Sequence, residues 1–276
     1  MYKLGKMLQK AMSYLQQNKL DQAEKQYKVI LKKHPKQADA LHLYGIVLDR
    51  KGNTQQAIDS IRKAITIAPS VSVYHFNLGV ILQGAGLFLD AIGAYERALT
   101  LQPKNAEAWD NLGSVLQQLD YYQDATEAHK KALDLNPVKP SIWSNLGEAY
   151  RKQGLFDEAI NYYQKSLELA PGNASASTNL GNVYKETGQL DKALEIFADA
   201  LHKDSANESE LVEVHWNQAL AFLMQGRFRE GWIEYEWGLK SNLRAIRPYP
   251  IQVWDGSDLT NKHLLIVGEQ GIGDEI

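Results

Sequence analysis

Five asparagines, Asn77, Asn111, Asn145, Asn179 and Asn217, recur along the chain, the first four of them 34 residues apart. A primary amide both donates and accepts hydrogen bonds, so a column of amides can pair with a polypeptide backbone without regard to its side chains. That chemistry is recognition of an extended chain rather than catalysis. The residue just before each asparagine varies freely, as Phe76, Asp110, Ser144, Thr178 and Trp216. Asparagine is also a poor interior helix former, costing on the order of 0.5 kcal/mol relative to alanine, so helix formation does not account for the column. It starts at Asn77, because Gln9 and Leu43 hold the same place earlier.

The elements that must carry these amides follow from a fixed period. Pro35, Pro69, Pro103, Pro137 and Pro171 also stand 34 residues apart, the length of one helix-turn-helix unit that stacks on its neighbours to bury its apolar face. In the clearest copy Trp109, Leu112, Gly113 and Leu116 fall on one face of a first helix, and Ala125 and Ala132 on the facing side of a second. The next copy reads Trp143, Leu146, Gly147, Tyr150, Ala159 and Pro171. Gly79, Gly113, Gly147 and Gly181, matched by Ala57, Ala91, Ala125, Ala159 and Ala193, let paired helices approach closely. Gly52, Gly86, Gly154, Gly188 and Gly226, with Asn18 and Asp120 in the other copies, are residue types that tolerate the left-handed conformation ending a helix. Each proline closes the second helix.

This pattern resembles the tetratricopeptide repeat. The resemblance implies an all-α protein, a right-handed superhelical α-solenoid of about seven helix-turn-helix units, whose first helices line the concave surface. The landmarks place the repeats near 4–37, 38–71, 72–105, 106–139, 140–173, 174–211 and 212–240. Met7 and Ala11 replace the aromatic and the glycine in the first, as befits a terminal cap. Ser205 stands where the sixth proline would be, and Gly188 to Gly226 is 38 residues. A longer polar loop, Lys203 to Glu210, is expected there.

Helices pack about 8–10 Å apart and an extended chain rises about 3.3 Å per residue, so one amide meets about every third residue of a bound peptide. The column is similar to the asparagine ladder in the repeat domain of O-linked N-acetylglucosamine transferase, which implies that it holds extended polypeptides. The residues three after Asn77, Asn111 and Asn145 are Val80, Ser114 and Glu148. With only Arg151, Lys152 and Lys185 nearby, this argues against capture of a C-terminal carboxylate through paired cations. A protein or extended peptide is the expected partner.

After Lys240 the helical period stops. Residues 241–262 read as a linker, His263 to Val267 as a buried strand, and Gly271, Gly273 and Asp274 as a Gly-rich loop of the kind that opens α/β nucleotide-binding domains. From Trp216-Asn217-Gln218, through Gly226-Arg227, Glu230-Gly231-Trp232, Tyr235-Glu236-Trp237 and Trp254-Asp255-Gly256, to Gly268–Asp274, the chain resembles bacterial proteins in which a tetratricopeptide array leads into a glycosyltransferase-like domain related to the heptosyltransferases. The resemblance implies that the array recognises the acceptor of such an enzyme. It places Gly271, Gly273 and Asp274 near its cleft and the chemistry beyond Ile276, so no enzyme activity is expected of these residues. Alternatively the glycines make a tight turn and Asp274 caps a helix. Residues 263–276 are expected to pack on the last repeats or on another chain. Trp216, Trp232, Trp237 and Trp254 predict an exposed apolar patch there, and self-association through it.

Composition narrows the remaining classes. With 30 basic and 33 acidic residues the net charge is −3, which encodes no general attraction to nucleic acid or to an anionic membrane. There is no cysteine, so disulfides, thiolate metal sites and cysteine nucleophiles are excluded. The seven histidines form no i, i+4 pair and no metal or cofactor is expected. His75 and His129 fall where other repeats carry Trp or Tyr and read as packing residues; Trp109 and Trp143 read as core anchors. The first 20 residues lack the apolar core of a signal peptide, and no apolar run nears the roughly 20 residues that span a bilayer. The cytoplasm is the expected location.

Overall fold

A computed structural model describes residues 2–202 and 208–239. They form fourteen α-helices in seven antiparallel pairs and no strand: α1 Tyr2–Gln16, α2 Leu20–Lys33, α3 Ala38–Arg50, α4 Thr54–Ile67, α5 Ser72–Gly84, α6 Phe88–Leu101, α7 Ala106–Gln118, α8 Tyr122–Leu135, α9 Pro140–Lys152, α10 Phe156–Leu169, α11 Ala174–Glu186, α12 Leu190–Leu201, α13 Glu208–Met224 and α14 Phe228–Tyr235. A 3₁₀ turn, Glu236–Leu239, follows. The fold is an α-solenoid. The chain forms two compact blocks, Met1–Tyr162 and Tyr163–Ile276, which divide within α10. Most of the insertion expected around Ser205, and all of the strand and Gly-rich loop expected at 263–276, with Gly271, Gly273 and Asp274, lie outside the described residues.

Each turn between paired helices is built the same way. Asn18, Gly52, Gly86, Asp120, Gly154, Gly188 and Gly226 all have φ between 55° and 79°. The residue after each returns its N–H to a carbonyl five residues back, as in Asn53 to Leu48 at 2.9 Å and Gln189 to Tyr184 at 2.8 Å. This closes the last helical turn and satisfies carbonyls that otherwise have no partner.

Between repeats the proline does more than end a helix. Trp109 Nε1 donates to the Pro103 carbonyl at 2.9 Å and Trp143 Nε1 to the Pro137 carbonyl at 2.8 Å. His75 Nε2 makes the same bond to Pro69 at 2.9 Å. His75 is buried, but the two tryptophans are only half-buried. The expectation of core anchors holds for one face of these indoles, while the other edge ties down the loop. The proline period and the aromatic period are thus two ends of one contact.

The core lies between the two helices of a pair and reaches into the next pair. In the first block one buried cluster runs from Leu41 through Ile61, Tyr95 and Leu112 to Ala128, and another joins Ala11, Tyr27 and Val47. Its tightest points are glycines on the first helices. A Cβ built on Gly79 would lie 2.6 Å from the Tyr95 ring, on Gly113 2.7 Å from the His129 ring, and on Gly181 2.3 Å from the Phe197 ring. The alanines facing them, Ala57, Ala91, Ala125, Ala159 and Ala193, are fully buried.

Gly181→Ala is expected to cost about 1–3 kcal/mol, because the added methyl must displace Phe197 in a filled core. Gly93→Ala, at an exposed position of α6 with open space around its Cβ, should instead stabilise by about 0.5–1 kcal/mol. Urea denaturation of the two variants separates these outcomes.

Candidate functional site

Successive helical residues are rotated by about 100°, so an asparagine two residues before the packing glycine points about 200° away from the second helix. Asn77, Asn111 and Asn145 lie on that face of α5, α7 and α9 in the first block, and Asn179 and Asn217 on α11 and α13 in the second. The first four are half-buried; Asn217 is 8% exposed.

Neighbouring side chains hold several of these amides. Asn77 Nδ2 lies 2.7 Å from His42 Nε2. Asn145 Nδ2 donates to Asp110 Oδ1 at 2.9 Å. Both partners sit 35 residues back, one position before the asparagine column in the preceding repeat. Asn111 cannot repeat the contact, since that place is Phe76; it lies instead against the Tyr95 hydroxyl. Asn217 is spent locally: Oδ1 accepts from Lys185 Nζ at 2.8 Å and Nδ2 donates to the Glu213 carbonyl at 3.0 Å. One turn beyond Asn179, the buried Oδ1 of Asn182 has no hydrogen-bond partner.

Asp110 and His42 are functional candidates that reading the sequence passed over. Asp110 is buried and receives His129 Nδ1 at 3.0 Å, Asn145 Nδ2 at 2.9 Å and, on its other oxygen, Lys139 Nζ at 3.4 Å. Burial pushes its carboxyl up, but the bonds from His129 and Asn145 and the charges of His129 and Lys139 outweigh that and leave it below the usual carboxylate range. The other nitrogen of His129, Nε2, lies 2.9 Å from Gln117 Oε1. Gln117 Nε2 donates to the Asn145 carbonyl, which orients this amide oxygen toward the ring. Both nitrogens of a fully buried imidazole are therefore engaged, one by a carboxylate and the other by an amide.

His42 is buried against Tyr74, with ring centroids 4.7 Å apart. Burial pushes its pKa down to about 4 against the opposing charge of Asp39, itself hydrogen-bonded by the Tyr74 hydroxyl. A neutral ring can accept from Asn77.

Two of the three cations near this face are engaged. Arg151 forms a two-pronged pair with Glu148 at 2.7 and 2.8 Å, and Lys185 serves Asn217. At the far end Trp216 packs on Tyr235, Trp237 stacks on His215 at 4.0 Å, and Trp232 is exposed. Among the described residues no helix is long and apolar enough to cross a membrane.

Paired helices with a small residue at each crossing, a left-handed turn between them and an amide-lined face define a tetratricopeptide repeat protein. The chain belongs to the family of the cilia and flagella-associated protein 70 C-terminal domain, whose model matches residues 3–214. Among solved structures it is similar to MamA, at 31% identity over 58% of this chain and 94% of that one, with a TM-score of 0.56. The fold is also shared with a tetratricopeptide repeat protein from Parabacteroides merdae, at 17% identity, TM-score 0.71, over 88% of this chain and 93% of that one. It is shared too with YrrB, described as a TPR protein with an unusual peptide-binding site, at 20% identity, TM-score 0.58, over 72% and 97%. Protein FlbA of Caulobacter vibrioides is 32% identical over 80 residues, 28% of this chain; the match spans 13% of FlbA.

His42 takes up a proton more readily unfolded, near pH 6.5, than folded, near pH 4. Stability therefore falls as pH drops through that window, by on the order of 3 kcal/mol. His42→Phe, which copies Phe76, should remove that loss when denaturation midpoints at both ends of the window are compared. Asp110→Ala should cost about 1–3 kcal/mol by leaving the buried His129 Nδ1 without its hydrogen-bond partner. The pair Asp110→Phe with His129→Tyr, which copies Phe76 and Tyr95, should be more stable than either single change in a double-mutant cycle.

Proposed function

We propose that this protein is a non-catalytic interaction scaffold that holds an extended polypeptide by its backbone along the asparagine-bearing face. The observation that carries this reading is the restraint on Asn77 and Asn145. Each is half-buried and tethered by one N–H to a buried side chain of the preceding repeat, which leaves Oδ1 and the second N–H for a ligand. A tethered amide has already lost its rotamer freedom, so less entropy is lost when a peptide binds.

Apolar side chains flank the first rungs. Val73 and Val80 are exposed on the same helix as Asn77, a setting for aliphatic residues of the bound chain between its backbone contacts. The exposed aromatic end of the last repeat favours a second reading of the wider role, in which this face presents an acceptor polypeptide to a glycosyltransferase-like domain that follows the array.

The test uses a peptide selected from a random library on the wild-type protein and titrated calorimetrically. Replacing Asn77, Asn111 and Asn145 together by alanine removes three hydrogen-bonding rungs of about 1 kcal/mol each. Affinity should fall on the order of 100-fold, with the helical circular dichroism retained. Unchanged affinity in a folded triple variant refutes the ladder.

A further inference from the structure

The last repeat exposes apolar side chains at positions that earlier repeats cover or keep polar. In α14 the position of Trp232 is held in earlier repeats by Ile58, Thr126 and Leu194, which are buried, and by Glu24, Ile92 and Ile160, which are half-buried. Trp232, the bulkiest of the set, is 56% exposed. The difference has a structural source. In each earlier case the second helix is covered by the first helix of the next repeat, as α4 is by α5, α8 by α9 and α12 by α13, whereas among the described residues α14 packs on α13 and the 3₁₀ turn.

Its neighbour is more telling. Ile233 falls in a column that holds Asp59, Glu127 and Glu195 in earlier repeats, all exposed. Repeat stacking never buries that column, yet here it is apolar and 62% exposed. Met224, Phe228 and Trp232 follow at intervals of four across the turn and extend the patch; all three are exposed. An array that simply ended would be expected to carry a polar face here.

We propose that residues 240–276 of this same chain dock on the face formed by Met224, Phe228, Trp232 and Ile233, in the place a further first helix would take. They begin directly after the 3₁₀ turn and supply Ile251, Val253, Trp254 and the run Leu264–Val267. Covers in the earlier repeats likewise come from the chain immediately following. A tethered segment acts at an effective concentration of order millimolar, which favours it over a second copy in dilute solution. Docking of this kind would couple whatever follows the array to the last repeat, and it does not depend on the peptide-binding reading.

Hydrogen exchange on the whole protein tests the assignment. Backbone amides of residues 250–267 are expected to exchange at least tenfold more slowly than an unstructured chain, to the same degree at low and high protein concentration. Ile233→Glu restores the residue type of the earlier repeats and so leaves the helix intact. It should return those amides to fast exchange while α1–α9 keep their protection, and Phe228→Ser should do the same. Fast exchange of 250–267 in the wild type overturns the proposal. So does protection that survives both substitutions, or protection that grows with concentration alongside a dimer, which would assign the face to a second copy.

Discussion

The rest of this structure hangs on one close approach: a missing Cβ on the first helix of a repeat against a ring on the second. At Gly79, Gly113 and Gly181 an added methyl would sit within 2.3–2.7 Å of Tyr95, His129 and Phe197. Overlap of that kind cannot be absorbed in a close-packed interior, so the rotation of each first helix about its axis is set to within a fraction of a residue. Once it is set, the asparagine two positions earlier points away from the second helix, and the residue before that faces the following repeat. The amide column and its tethers both follow from where the glycine must go.

The ring opposite the glycine also explains a set of polar choices. Tyr95 and His129 hold the same column, and each gives a hydrogen bond to the glutamine twelve residues before it, Gln83 at 2.7 Å and Gln117 at 2.9 Å. Histidine can therefore replace tyrosine here without stranding a buried polar group. It differs in having a second nitrogen, and Asp110 stands where that nitrogen points. Phe197 has no polar edge, and the matching residue on its first helix is Lys185, which turns to Asn217 instead. Aromatic column, glutamine column and asparagine column change together because one side chain's spare hydrogen bond decides what the next can do.

What could be read in the sequence and what could not divides along the same line. The turn residues, the facing alanines and the close-contact glycines were legible because each requirement acts on the residue itself: a positive φ or the absence of side-chain volume. The partners of the asparagines were not, since the clamp joins positions 35 apart, one more than the period, and depends on which face of a helix the next repeat presents. A variable position before the asparagine looked unconstrained for that reason. The available signal was a coincidence within one repeat: Asp110 is the one charged residue in its column, and it occurs in the repeat where the ring column changes to His129. Two departures from pattern in one unit point to a contact between them. Trp109 and Trp143 were legible as packing residues, but the bond to the proline six residues back requires knowing that the loop folds over the indole edge.

The tethers also give the ladder a sense. A carboxylate can only accept, so Asp110 compels Asn145 to turn its nitrogen toward the preceding repeat and its oxygen the other way. His42, kept neutral by burial, holds Asn77 by its nitrogen as well. Two rungs in one block are thus oriented alike by unrelated chemistry, one a charged acceptor and the other an uncharged ring. On the proposed reading, an extended chain whose backbone alternates donor and acceptor would meet oxygens on the same side of each such rung, and reversing the chain would set its carbonyls against them. Asn111, with Phe76 behind it in place of a polar clamp, lies against the Tyr95 hydroxyl instead. On the proposed reading, rungs held in one sense would distinguish the direction of a bound chain while remaining indifferent to most of its side chains.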